Sequence, residues 1–306
     1  MAIRHPKHLL VAALAAAALV AACARTGNPG GGGPTADKGV AAGRGSALLS
    51  RAPTARSRTI TSKPTPKSPL RVELWGDSFS DQARDYLSFD FGLSGRATSI
   101  EHAYGGTALC DWFPDIRREI DPANRRSFHP QVAVIQFSGD AATPCMHDAK
   151  GLAYSGQALI DKYGADSAIA ITMFTKAKIP VYFVSTPLSR VESPKYTGLT
   201  QLGGMFSTLP ARFPAGGMVR YIDGATPLEW RGKFSATLPC AAWETCTGRW
   251  PDGTRTVVVR QTDGTHFCPV AQRATPLLRS CPVAMPGAQR FALAIAGPII
   301  RDFHLR

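Results

Sequence analysis

Hydrophobic positions fall into three regimes along this chain. Leu9 to Ala22 is an unbroken apolar run, residues 24–68 hold almost no large apolar side chains, and from Leu70 onward short apolar runs alternate with amphipathic stretches. In the third regime Leu70–Trp75, Thr98–Ala103, Val132–Phe137 and Val181–Ser185 read as buried strands, each short and with a Gly, Ser or Pro within two residues of its end, and Val257–Val259 adds a further short one. Tyr154–Ala177 has apolar residues at helical spacing with Pro180 just beyond its end; Trp112–Ile120 suits a short helix and Pro286–Ile300 a closing one. Residues 189–250 are less regular and rich in Gly and Pro. Apolar strands alternating with helices predict an α/β fold with a mostly parallel sheet covered on both faces. In such sheets ligands bind beyond the carboxyl ends of the strands. Ser78, Gly105-Gly106 and Gly139-Asp140 each follow a predicted strand, so three polar turns are expected to converge on one edge.

The first two regimes are not expected to join that fold. Arg4 and Lys7 precede the apolar run without an acid, and the run is shorter than the roughly 20 residues of a spanning helix. Residues 1–22 therefore read as an export signal. Val20-Ala21-Ala22-Cys23 resembles the bacterial lipobox, which implies cleavage before Cys23 and a lipid on its thiol, tethering the protein to the outer face of the cell membrane; the other reading is plain secretion. Residues 23–68 read as a disordered linker, too poor in apolar surface to offset its ordering entropy, and residues 69–306 as one domain. Of the formal charge of +13, the signal carries +2 and residues 24–68 carry +7, which leaves +4 for the domain. A basic tail suits an anionic membrane or wall surface, and no nucleic-acid motif accompanies it.

Cysteine usage agrees with an oxidising compartment. Seven Cys minus Cys23 leaves six: Cys110, Cys145, Cys240, Cys246, Cys268 and Cys281. Six allow 15 pairings; nearest neighbours suggest Cys110 with Cys145, Cys240 with Cys246, and Cys268 with Cys281. No C-x-x-C and no paired His at ligand spacing point to zinc, so neither metal nor cofactor is expected.

Two short motifs carry chemistry. Ser78 lies in Gly76-Asp77-Ser78-Phe79, directly after the first strand, where a strand-to-helix turn aims a hydroxyl into the cleft. In Asp263-Gly264-Thr265-His266 an acid three residues before a His can orient the imidazole, which then serves as base for Ser78 and acid for the leaving alcohol. Together, at opposite ends of the domain and with the glycines between, these motifs resemble the SGNH (GDSL-type) hydrolase superfamily over roughly residues 70–300. The resemblance implies a flavodoxin-like three-layer α/β/α sandwich and esterase-type chemistry. By position it implies that Ser78 is nucleophile and first oxyanion donor, that Gly106 (or else Gly105) gives the next N–H, and that Asp263 and His266 complete the triad. Two positions depart from the family pattern. Phe79 replaces Leu, a packing change, and Asp140 stands where an Asn usually donates to the oxyanion.

An ionised Asp cannot donate a hydrogen bond and opposes an oxyanion. Asp140 is therefore kept protonated by a dry site, or is replaced by neighbouring donors, or marks a slow or specialised enzyme. Bridges at Cys110–Cys145 and Cys268–Cys281 either fix the oxyanion and base loops or only stabilise a loop-rich exported domain. Trp112, Trp230, Trp243 and Trp250 either line a sugar cleft or pack the core and rim. The function expected is a monomeric serine esterase acting on acylated glycans or lipid esters of the envelope. Its alternatives are an O-acyltransferase with the same triad and a non-catalytic envelope-binding lipoprotein.

Overall fold

The computed structural model describes residues 63–190, 199–268 and 285–305. The signal segment, the lipobox Cys23, the linker as far as residue 62, and Cys281 lie outside them.

Five strands form the central sheet: β1 (Leu70–Gly76), β2 (Ala97–Ala103), β3 (Val132–Gln136), β4 (Val181–Val184) and β5 (Val219–Ile222). They lie in the order β2-β1-β3-β4-β5, and every neighbouring pair is parallel. Parallel strands need crossovers, and these are supplied by α1 (Ser78–Gly92), α2 (Phe113–Glu119), α3 (Gly156–Lys176) and α4 (Leu199–Arg212), with α5 (Pro286–Asp302) closing the chain. Alternation along the strands sorts the core into two layers. Val132 and Val134 of β3 and Tyr182 and Val184 of β4 face the layer built from α1 and α5, with Phe79, Leu87, Phe291 and Ile295 at its centre. Ala133, Ile135, Val181 and Phe183 face the opposite layer, filled by Ile116 of α2, Tyr163 and Phe174 of α3, and Phe206 of α4. This is the three-layer α/β/α sandwich expected from the sequence. Burial on both faces explains why the strands read as continuous apolar runs.

Chain order reverses between β1 and β3, and crevices at such switch points hold ligands. The turns after β1 and β3 carry Ser78 and Asp140. Gly76, the last residue of β1, has no space for a side chain: a Cβ there would lie 2.3 Å from Ser80 Oγ and 2.9 Å from the Gln136 carbonyl oxygen.

The segment read as irregular, 189–250, contains α4 and β5. Gly203, Gly204 and Pro210 interrupt the helical signal of α4; Gly203 fits closely, since a Cβ would lie 3.1 Å from that of Ser185. In the four residues of β5 only Val219 and Ile222 are buried, between Gly216-Gly217 and Asp223-Gly224. The rest of that segment and the strand predicted near 257 build small antiparallel pieces. β6 (Glu229–Trp230) pairs with β7 (Lys233–Phe234), and β8 (Thr237–Pro239), β9 (Gly248–Arg249) and β10 (Arg255–Val258) pair in the order β8-β10-β9.

Gly76→Ala is expected to lower unfolding free energy by about 1–3 kcal/mol through overpacking. Gly92→Ala, where a Cβ meets nothing within 4 Å, should leave it unchanged or raise it by under about 1 kcal/mol. Urea denaturation of the two variants checks the contrast.

Candidate active site

Ser78 is the first residue of α1, and Asp77 caps that helix by accepting the Phe79 N–H at 3.1 Å. Asp77 is fully buried, and its second oxygen accepts from the Ser138 N–H at 2.5 Å and the Ser138 hydroxyl at 2.6 Å. Burial pushes the Asp77 carboxyl up against the pull of these bonds. Two residues beyond Ser78, the Ser80 hydroxyl and N–H both donate to Gln136 Oε1, and Gln136 Nε2 donates to Thr186 Oγ1 at 2.9 Å. A polar network under Ser78 thus ties the start of α1 to the ends of β3 and β4.

The base loop arrives from far along the chain. His266 Nδ1 lies 2.7 Å from Asp263 Oδ2, and His266 Nε2 lies 3.1 Å from Ser78 Oγ. Asp263 Oδ1 also accepts the N–H groups of Thr265 at 2.8 Å and His266 at 3.0 Å. Partial burial pushes the Asp263 carboxyl up, but these N–H groups and the imidazole outweigh it and hold the group below its ordinary value. Gly264 adopts φ +73°, and a Cβ on it would lie 2.4 Å from that of Arg190. Loop and nucleophile helix are clamped by Gln82, one turn beyond Ser78. Its Oε1 accepts the N–H of Phe267 at 2.8 Å and of Cys268 at 3.1 Å. Phe79 stacks beside the His266 ring with centroids 6.0 Å apart and meets Phe267 edge-on at 5.3 Å. The substitution expected to matter only for packing therefore packs against the base loop itself.

The remaining predicted residues gather on the same edge. Gly105 lies against the nucleophile, its Cβ position 3.5 Å from that of Ser78, and Gly106 has φ +81°, a conformation that suits glycine. The Asp140 carboxyl lies near the Gly106 backbone, whose N–H favours the ionised form. Burial first, and the charge of Asp77 second, push that carboxyl up to about 7. Asp140 follows Gly139, at φ +97°, and its carbonyl oxygen accepts the Tyr163 hydroxyl at 3.0 Å. The Cys110–Cys145 disulfide joins the loop carrying Gly106 to the loop carrying Asp140, and Cys240 pairs with Cys246. Cys268 is also disulfide-bonded; its expected partner, Cys281, lies outside the described residues.

A cleft of about 230 Å³ is lined by Asp81, Arg84, Glu101, His102, Tyr104 and Trp112, and by none of Ser78, Asp263 and His266. Asp81 is one helical turn from Ser78, and Tyr104 adjoins Gly105. Of the four tryptophans singled out in the sequence, Trp112 lines this cleft, its indole N–H held by Thr107 Oγ1 at 3.1 Å. Trp230 and Trp250 instead meet edge-on at 4.8 Å, and Trp243 is exposed. A larger cavity of about 430 Å³ lies between the carboxyl-terminal halves of α1 and α5 and includes no residue of the Ser78–His266–Asp263 group.

Gln82, Tyr163 and Gln136 escaped the sequence reading. Gln82 left a signal: it lies four residues after Ser78, so on a helix begun at the strand-to-helix turn the two share a face; Tyr163 and Gln136 left none, because their partners are far apart in sequence.

No protein-family model matches the chain, and no curated protein matches it. Solved structures it resembles include a GDSL-like lipase, a protein assigned to the SGNH hydrolases and an acetylxylan esterase. A GDSL-like lipase from Bacteroides thetaiotaomicron is 14% identical, with 78% of this chain and 92% of that one covered at a TM-score of 0.44. A protein from Slackia heliotrinireducens assigned to the SGNH hydrolases is 16% identical, with 76% and 99% covered at 0.44. A catalytic mutant of an acetylxylan esterase from Geobacillus stearothermophilus is 14% identical, with 76% and 94% covered at 0.43.

Replacing Cys110 and Cys145 together by Ala should lower unfolding free energy by roughly 4 kcal/mol, the chain-entropy value for a loop of 35 residues. Urea melts of the oxidised protein and the double variant measure it.

Proposed function

We propose that the protein is an exported serine esterase, lipid-anchored through Cys23, that removes acyl groups from glycans of the cell envelope. The observation that carries this reading is the relay from Asp263 through His266 to Ser78, at 2.7 and 3.1 Å. A hydroxyl so placed is activated because the imidazole accepts its proton as the Ser78 oxygen bonds to the ester carbonyl carbon. The carbonyl electrons move onto oxygen, beside the Ser78 N–H at the start of α1. As they return, the ester C–O bond breaks and the alcohol leaves with the proton from His266. Water then attacks the acyl-enzyme, giving its proton to His266, and the acid departs as Ser78 recovers that proton. Asp263, held ionised, keeps the tautomer and steadies the imidazolium throughout.

The cleft that includes Asp81, one helical turn from Ser78, supports a glycan substrate. Tyr104 is 47% exposed, and with Trp112 it offers aromatic faces among acidic and basic side chains, a combination that suits the apolar faces and hydroxyls of a sugar.

A fluorophosphonate probe is expected to label the wild-type protein and not Ser78→Ala. Absence of labelling in the wild type would establish a non-catalytic binding protein. Asp263→Asn should lower kcat by about 10⁴, by releasing the imidazole tautomer, in steady-state assays of a short-chain ester. Tyr104→Ala should raise KM for acetylated oligosaccharides about three- to tenfold, matching the loss of one aromatic contact. Its kinetics on a short aryl ester should stay unchanged; equal effects on both substrates would remove the glycan assignment.

A further inference from the structure

A second His–carboxyl pair, His102 with Glu73, lies at the cleft and takes no part in the relay at Ser78. His102 is on β2, two residues before Tyr104, and Gly105 follows with its Cβ position 3.5 Å from that of Ser78. The imidazole stacks flat on the buried Trp75, with centroids 4.1 Å and planes 13° apart, and Trp112 meets Trp75 edge-on at 5.6 Å. Its Nε2 is turned inward, 2.9 Å from Glu73 Oε1. Glu73, midway along β1, is fully buried, and its Oε2 makes no hydrogen bond. The His102 side chain stays 27% exposed, and its Nδ1 is neither bonded to a described residue nor sealed from water.

Burial of Glu73 decides which hydrogens the ring carries. A carboxylate beside a neutral ring would leave a full charge in the interior with one oxygen unpartnered, which interiors penalise heavily. Two arrangements are net neutral: a carboxylate with an imidazolium, or a carboxylic acid donating to Nε2. In the first both ring nitrogens carry hydrogen; in the second the one ring hydrogen is forced onto Nδ1. Either way Nδ1 presents an N–H to the cleft. Burial first pushes the Glu73 carboxyl up, and the bond and charge of His102 pull it back only in part, in keeping with a proton shared by the pair.

The other charged groups of the cleft are already engaged. Arg84 pairs with Asp81 at 2.6 Å and donates to the Ala103 carbonyl oxygen at 3.2 Å. Glu101 accepts the Ser99 hydroxyl at 2.7 Å, and the Trp112 N–H is spent on Thr107. The fixed donor left open is His102 Nδ1, and a donor asks its ligand for a lone pair. A hydroxyl offers one but brings a proton that needs its own acceptor; a carbonyl oxygen brings none. A carboxylate would meet Asp81 and Glu101 across the same small space, with the Arg84 charge already paired. A neutral carbonyl fits these demands.

We propose that the Glu73–His102 pair is a specificity element that donates from His102 Nδ1 to the amide carbonyl oxygen of an N-acylated amino sugar held against Tyr104 and Trp112. This rests on the glycan esterase reading of the Ser78 site and names the class of sugar that accompanies the acyl group removed there. The methyl of an acetamido group adds apolar surface for the two aromatic rings. A sugar with a hydroxyl in its place lacks both features.

The test uses the full chain carrying Ser78→Ala, so that binding is read without turnover. Calorimetry compares triacetylchitotriose with cellotriose, the same backbone bearing hydroxyls in place of acetamido groups, and the His102 ring is followed by long-range ¹H–¹⁵N correlation near pH 7. Nδ1 should be protonated in the free protein, its signal should move on adding triacetylchitotriose, and that ligand should bind about tenfold tighter than cellotriose, the worth of one good hydrogen bond. His102→Ala on this background should bring the two sugars within about twofold. Glu73→Gln, nearly isosteric, lets the ring carry its hydrogen on either nitrogen; it should move the Nδ1 signal toward the unprotonated value and narrow the preference. An unprotonated Nδ1 in the free protein, equal binding of the two sugars, or a preference that survives His102→Ala overturns the proposal. Each of these leaves the esterase intact if a fluorophosphonate still labels Ser78 in the wild type. Absence of that labelling overturns the esterase reading and, with it, the assignment of this sugar to an ester substrate.

Discussion

A hydrogen bond of 3.1 Å between His266 Nε2 and Ser78 Oγ joins positions 188 residues apart, and much of the local structure around it restricts where those two atoms can go. On one side Ser78 is fixed by being the first residue of a helix whose cap, Asp77, is itself held by Ser138, two residues past β3. On the other side the imidazole is fixed by Asp263, by the Phe79 ring and, through the residues that follow it, by Gln82. Gln82 and Phe79 both belong to the nucleophile's own helix. The base loop is thus referenced to α1 directly, and small movements of the rest of the sheet need not change the distance that matters.

Fixing these atoms asks for close approach, and close approach asks for glycine. A Cβ on Gly76 would collide with Ser80 and the Gln136 carbonyl, and one on Gly264 with Arg190. Gly76 thus lets Ser80, two residues beyond Ser78, close on the end of β1, and Gly264 lets Arg190 close on the loop bearing Asp263 and His266. The disulfide between Cys110 and Cys145 acts in the same sense on the Gly106 and Asp140 loops, joining turns that follow different strands.

Most of the sheet was legible because its strands are buried on two faces and so read as uninterrupted apolar runs, as in Val132–Gln136 with every residue buried. The edge strand β5 was not, since two of its four residues are only half-buried and turn residues flank it closely. Helix α4 was masked by Gly203, Gly204 and Pro210, which weaken the helical signal while tertiary packing of Leu202, Phe206 and Leu209 keeps the helix in place. In the site, the groups whose meaning is local were readable: Ser78 after a strand, Asp263 three residues before His266. Groups whose meaning depends on a distant partner were not. Gln136 takes its place from Ser80 and Thr186, and nothing near it in the chain announces either. Phe79 looked like a packing choice because its contact with His266 exists only after folding.

The site also separates its carboxyls by environment. Asp263 is 38% exposed on its side chain and is surrounded by N–H groups and an imidazole, all of which favour the anion. Asp77 and Asp140 sit deeper, near one another, with burial as the largest influence on each. Desolvation penalises charge, and two neighbouring carboxylates penalise it again, so this pair resists holding two negative charges at once. The three carboxyls are thereby sorted by environment: Asp263 is held negative beside His266, while burial and mutual proximity work against two negative charges on Asp77 and Asp140.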